Sequence, residues 1–167
     1  MSTRSATIVR QQTNHGDGVT TDELFRFYRH CDGYPDGHGL QMAEAFIRAE
    51  DKGTRDSGRW ISDGLNNRNW VQKCFAELFA DDCDLEVEPL GTQHWDIEYL
   101  YVVEGQYADF GGKENIDSLP VTITLYDTYI PNLSSNEEWS YERVMQEEPE
   151  FSGTPREYVE KFGWKAD

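Results

Sequence analysis

The chain is poor in bases, in cysteine and in continuous apolar sequence. Its 167 residues hold 15 Lys and Arg, only five of them Lys, against 32 Asp and Glu, for a formal net charge of -17. A surface of that sign repels a phosphate backbone, so direct nucleic-acid binding along a basic face is not expected. No apolar run approaches the roughly 18–20 residues of a membrane span, and no leader pattern stands at the amino terminus. The expected location is therefore cytoplasmic, with no membrane contact. The three cysteines, Cys31, Cys74 and Cys83, are odd in number and form no C-x-x-C pair. They read as reduced thiols, and Cys74 as a small buried hydrophobe on an apolar helical face. The P-loop, the dinucleotide fingerprint and G-x-S-x-G are all missing, which removes the best-marked nucleotide and serine-nucleophile chemistries.

What is present is aromatic and acidic. Five Trp, nine Tyr and eight Phe make up 13% of the chain, enough to exclude disorder as its main state. The length predicts one domain spanning 1–167. Charge is unevenly spread: residues 1–83 carry 13 acids and 10 bases, residues 84–167 carry 19 acids and five bases. The acids of the second half concentrate at Glu137, Glu138, Glu142, Glu147, Glu148 and Glu150, with Asp84, Glu86 and Glu88 as a second group. Such a surface is either solvated, suited to a basic partner, or a mark of a salt-adapted cytosol.

Periodicity predicts an α+β fold, an antiparallel sheet with helices packed on one face, in the order β-β-α-α-β-β-β-α. Ser5–Gln12 and Leu24–Cys31 read as a hairpin joined by a long loop, Thr13–Thr21. Leu40, Ala43 and Ile47 recur at helical spacing within about His38–Glu50. Val71, Cys74, Phe75 and Leu78 do so within about Asn67–Ala80. The 51–69 segment between them reads as a long polar loop. Cys83–Val87, Asp96–Glu104 and Pro120–Asp127 alternate as strands. Ile97, Tyr99, Tyr101 and Val103 fall on one face of the second; Val121, Ile123 and Leu125 on one face of the third. The expected core is Leu40, Ile47, Phe75, Leu78, Ile97, Tyr99, Val103, Val121, Ile123 and Leu125. The 132–167 segment is acidic and partly helical. A capping box at Ser135–Glu138 would open a short helix there. Thr154, Pro155, Glu157 and Gly163 mark a second helix as cap, first position, box partner and stop.

One loop carries an unusual density of functional side chains. His30–Gly39 reads H-C-D-G-Y-P-D-G-H-G, joining a strand to the first helix. Gly permits close backbone approach, and Gly37–Gly39 would offer N–H groups at the positive end of that helix, where an anion is favoured. Arg26 and Arg29 lie beside it in sequence. His30, Asp32, Gly33, Tyr34, Asp36, Gly37, His38 and Gly39 are thus the candidate ligand or partner loop. His30, Asp32, Asp36 and His38 are all metal-ligand types, with His94 and Asp96 as further donors. Their spacing matches no metal motif, so no metal and no cofactor is assigned.

At this point the chain resembles a group of small phage and prophage proteins. The M-S-T-R-S start, a β run and the segment Y-x-H-x-D-G-Y-P-x-G-x-G at Tyr28–Gly39 carry the resemblance. Cys31 stands where the group usually has Trp, and the Thr13–Thr21 segment is longer than in the group. The H-x-D-x-E-Y stretch at His94–Tyr99 also resembles part of it. The resemblance covers about a third of the chain, implies a genomic setting, and supplies no catalytic residue.

Three classes of function follow. The first is an accessory protein that binds a basic host protein or complex and blocks a nucleic-acid-targeting defence machine by charge mimicry, using the acidic residues 137–150. The second is a binder, or sponge, of a small anionic nucleotide-type ligand at the Gly-rich turn. The third is a small hydrolase using His30, Asp32 and His38 as acid–base groups. The two binding classes rank above the enzyme, and no catalytic residue is assigned.

Overall fold

The computed structural model describes residues 2–15, 17–56, 70–82, 84–108, 121–131, 133–134 and 137–164. Two apolar runs organise it. Ala6–Val9 of strand β1 (Ser5–Asn14) and Leu100–Val103 of β4 (Tyr99–Ala108) are buried at every residue. Runs buried on both faces belong in the middle of a sheet. The two strands lie side by side in parallel, Ser5 opposite Tyr99 and Val9 opposite Val103. Around them β2 (Val19–Arg29), β3 (Leu85–Glu88), β5 (Thr122–Asp127) and β6 (Phe151–Gly153) complete a six-stranded sheet of order β3-β2-β1-β4-β5-β6. The remaining pairs are antiparallel.

The fold is α+β, with two departures from the expected layout. The sheet is mixed rather than antiparallel, because the amino-terminal strand is inserted at its centre. Helices lie on both faces rather than one. Helices α1 (Leu40–Asp56), α2 (Trp70–Asp81) and α4 (Pro155–Phe162) cover one side. The short helix α3 (Tyr141–Val144) covers the other, where Tyr141 and Val144 pack on Ala6, Ile8, Tyr28 and Leu100. The order gains α3 and β6 over the expected one.

Individual boundaries also move. β1 and β2 zip together as far as Asn14 and Val19, so most of Thr13–Thr21 is strand rather than loop. The β-prone Thr residues pair there, Thr13 buried and Thr20 and Thr21 exposed. Val9 faces Phe25 and Arg10 faces Glu23, leaving Leu24 as a bulge. The bulge brings Glu23 and Arg26 onto one face, where they pair at 2.5 Å. Helix α1 continues through 51–56 of the expected polar loop; 57–69 lie outside the described residues. Its buried residues are Met42, Ala43, Ala45, Phe46 and Ala49, with Leu40 and Ile47 half-buried at the border. The buried face therefore centres on Met42, Phe46 and Ala49 rather than on the expected Leu40, Ala43 and Ile47, because three alanines share it with the two large side chains. Ile97 precedes β4 and turns to the opposite cluster from Tyr101 and Val103. Helix α3 is capped by Ser140, whose hydroxyl accepts from the Arg143 N–H; Ser135, the expected cap, lies outside the described residues. Helix α4 is capped as the sequence predicts: Glu157 accepts from the Thr154 N–H at 2.7 Å, and Thr154 Oγ1 accepts from the Glu157 N–H. Among the described residues no helix is long and apolar enough to cross a membrane.

Candidate functional site

The Gly-rich loop leaves β2 after Arg29 and closes on itself. Asp32 takes a left-handed conformation (φ 57°), tolerable for Asp. Its carbonyl accepts from the His38 N–H at 2.9 Å. The Tyr34 carbonyl accepts from the N–H groups of Gly37 and Gly39 at 3.1 and 3.5 Å. Pro35–Gly39 forms a single wide π-helical turn that runs into α1 at Leu40. All three N–H groups expected to cradle an anion are therefore engaged by loop carbonyls. Two core tyrosines hold the loop from beneath. Tyr101 donates to the Gly33 carbonyl at 2.9 Å, and Tyr158 to the Pro35 carbonyl at 3.1 Å. The backbone must come close for this. A Cβ at Gly39 would overlap the Tyr158 hydroxyl, and one at Gly33 would lie 2.7 Å from Ser5 Oγ.

The loop does not gather its candidate side chains. His38 is 0% exposed, edge-on to Phe27 and Tyr101 at centroid distances of 5.7 and 5.4 Å. Neither ring nitrogen has a described partner. Burial, with Arg29 nearby, pushes its pKa down to about 3. His30 lies on the opposite face of the sheet, exposed, edge-on to Tyr28 and 3.1 Å from Glu86. The trio His30, Asp32 and His38 thus forms no common site. Tyr34 and Asp36 face outward, and the Asp32 carboxylate raises the Tyr34 phenol. Arg29 is consumed in a buried ion pair with Asp82. Among the described residues no group of His, Cys, Asp and Glu side chains is arranged to hold a metal ion.

The other sheet face is organised differently. Tyr28 stacks on His94 at 4.1 Å, and His94 Nε2 sits 2.5 Å from Glu88. Next to them Arg26 is buried. Glu23 accepts its Nε–H and Nη2–H at 2.5 and 3.0 Å, and the Thr92 carbonyl accepts from Nη1 at 2.5 Å. Its guanidinium lies 5.2 Å from the Tyr141 ring centroid, with Glu142 at 4.0 Å. Desolvation opposes the charge, but Glu23, together with Glu142 and Tyr141, outweighs it and the Arg26 pKa rises.

These contacts fasten the loop 89–96 to α3. The Pro89 carbonyl accepts from the Thr92 N–H and hydroxyl at 3.2 and 2.8 Å, closing a turn at Gly91. The Tyr141 hydroxyl accepts from the His94 N–H at 2.9 Å, and burial pushes its pKa up to about 12. Gln93 accepts from the Tyr141 N–H at 3.0 Å and donates to Glu142 at 3.2 Å. Trp139 donates from Nε1 to the Thr128 carbonyl at 3.1 Å. Between loop and α3 lies a groove of about 470 Å³ lined by Gly91, Gln93, Trp95, Glu138, Trp139 and Ser140. Trp95 is 85% exposed.

The six acidic residues of 137–150 divide by partner. Glu137 accepts from Ser134 N–H and hydroxyl, which lower its pKa. Glu147 pairs with Arg143 at 2.5 Å, and Glu142 serves Gln93. Glu138, Glu148 and Glu150 are exposed, and their carboxylates make no hydrogen bond or ion pair with a described residue. Trp95, Trp139, Gln93 and Tyr141 escape sequence reasoning. The one available signal is a Trp at 95 among polar neighbours, away from any apolar stripe.

No protein-family model, no curated protein and no solved structure matches the chain.

Proposed function

We propose that this chain is a binding protein whose acidic face, formed by the loop 89–96 and residues 137–150, engages a basic partner. One observation carries the reading. The described bases of residues 121–164 are all engaged within the chain: Arg143 with Glu147, Arg156 with Glu50 and Asp51, and Lys161 with the Glu150 carbonyl. Glu138, Glu148 and Glu150 keep their charge unneutralised beside them. Carboxylates on a fixed scaffold steer a basic partner and select against acidic ones. The resemblance of the loop to small phage proteins sets the expected partner in a host cell. A nucleic-acid-targeting complex has a basic phosphate-binding groove, and carboxylates carried on a surface can compete for it.

The test is capture from host lysate by immobilised wild type and by the triple variant Glu138→Lys, Glu148→Lys, Glu150→Lys. These three lack structural partners, so the variant should melt as the wild type does. The wild type should retain basic nucleic-acid-binding proteins that duplex DNA or added salt releases. The triple variant should retain none. Retention of the same proteins by both would remove this face from the function.

A further inference from the structure

We infer that the groove between Trp95 and Trp139 is a receptor for one arginine side chain of the basic partner; this rests on the reading above and assigns its anchor. The face already contains the chemistry once. Arg26 lies over the Tyr141 ring at 5.2 Å with Glu142 at 4.0 Å. The groove repeats those residue classes immediately beside it, with an indole at 95, a second at 139 and the Glu138 carboxylate, and no cation among its lining residues.

Three features select a cation. Indole faces attract cations through the ring quadrupole more strongly than other side chains do. Glu138 is an exposed carboxylate with no described partner, and Gln93 and Ser140 line the same groove. Finally, the surrounding charge is negative: Glu88 and Glu142 flank the loop through His94 and Gln93. Arginine rather than lysine is selected because its planar guanidinium can stack on an indole while its fork meets a carboxylate.

The groove is also held ready. Arg26 of β2 and Tyr141 of α3 hold the loop 89–96, the latter at both His94 and Gln93, and Trp139 is anchored through its Nε1–H. A binding loop pinned before contact loses less entropy on association. Trp95, by contrast, leaves most of its ring in water. A large exposed Trp beside a fixed pocket is the usual character of an interface residue that contributes strongly.

The test uses a tetra-arginine peptide, a tetra-lysine peptide and a tetra-citrulline peptide as probes, titrated against the full chain. Intrinsic Trp fluorescence and NMR of the indole N–H groups are the readouts. The arginine peptide should bind saturably and perturb the Trp95 and Trp139 signals. Lysine should bind at least threefold more weakly, and citrulline, which keeps the shape but lacks the charge, should not bind. Trp95→Ala should weaken arginine binding at least tenfold, Trp95→Phe less, and Glu138→Gln by about threefold or more, with unchanged melting. Equal binding of arginine and citrulline would overturn the cation assignment, and tighter binding of lysine would overturn the preference for arginine. Arginine binding that survives Trp95→Ala but is lost in the triple charge reversal would overturn the groove while leaving the acidic face standing. If neither peptide binds, the groove is overturned, and lysate capture by the wild type decides the broader reading separately.

Discussion

The Gly-rich loop 30–39 and the loop 89–96 make an instructive pair. The first is dense in His, Asp and Gly, and in sequence it looks like chemistry. In the fold its N–H groups close on its own carbonyls, two core tyrosines hold its backbone, and one histidine is sealed in the core. The second is plain in sequence. It is equally well fastened, yet it leaves the Trp95 indole in solvent, across a groove from the Glu138 carboxylate. Polar groups matched inside the fold explain structure. Groups left unmatched on a fixed support are the ones open to a partner.

That contrast can be tested first, and most strongly, at His38. Its ring is buried without a described hydrogen-bond partner, and its pKa falls from 6.5 to about 3. The unfolded chain then binds a proton between these values that the folded chain does not. Stability should be complete above about pH 6.5 and decline as pH falls toward 3, by about 4–5 kcal/mol from this one group. His38→Leu should remove that part of the acid sensitivity in urea melts across pH. An unchanged pH profile would show that His38 titrates alike in the folded and the unfolded chain and that the loop is less closed than described.

Gly39→Ala comes next. The added methyl collides with Tyr158, so the loop or the core must shift, at a cost of about 1–3 kcal/mol. The denaturant midpoint should drop accordingly. A neutral result would mean that the π-helical turn yields easily, which would blur the difference between the two loops.

Arg26→Met tests the support of the second loop. It strips donors from Glu23 and from the Thr92 carbonyl. Stability should fall by about 1–2 kcal/mol, with Glu23 partly solvated. Amide exchange at 92–94 should accelerate more than in the core strands. Exchange that stays as slow as in the wild type would show that Tyr141 and Gln93 suffice.

The smallest effect on folding is expected at Trp95. Trp95→Ala should change stability by no more than about 0.5 kcal/mol, since an exposed side chain gives up little on removal. A loss well above this would mean that the indole serves the fold, and the contrast between the loops would collapse.

Much of the architecture is legible from period and capping. Val121, Ile123 and Leu125 alternate as written and are buried as written. Thr154, Pro155 and Glu157 spell out the start of α4, and the structure forms that box. The sheet centre is misread for a physical reason. A two-sided apolar run such as Leu100–Val103 shows no alternation, and strand direction is not encoded locally at all. The site is less legible still. The eight residues of the loop 30–39 are adjacent in sequence, which makes them conspicuous. The residues around Trp95 come from two segments over 40 positions apart, and nothing local announces their meeting.

The sequence by itself determines the capped start of α4, the buried alternation of β5, the excess of carboxylates from residue 84 onward, and the α+β class. These depend on short-range spacing and composition. Tertiary structure alone decides that β1 lies parallel to β4, that His30 and His38 fall on opposite faces, and that Trp95 meets Trp139 and Glu138 across one groove. Those outcomes depend on which buried surfaces fit together over long separations, and no local propensity carries that information.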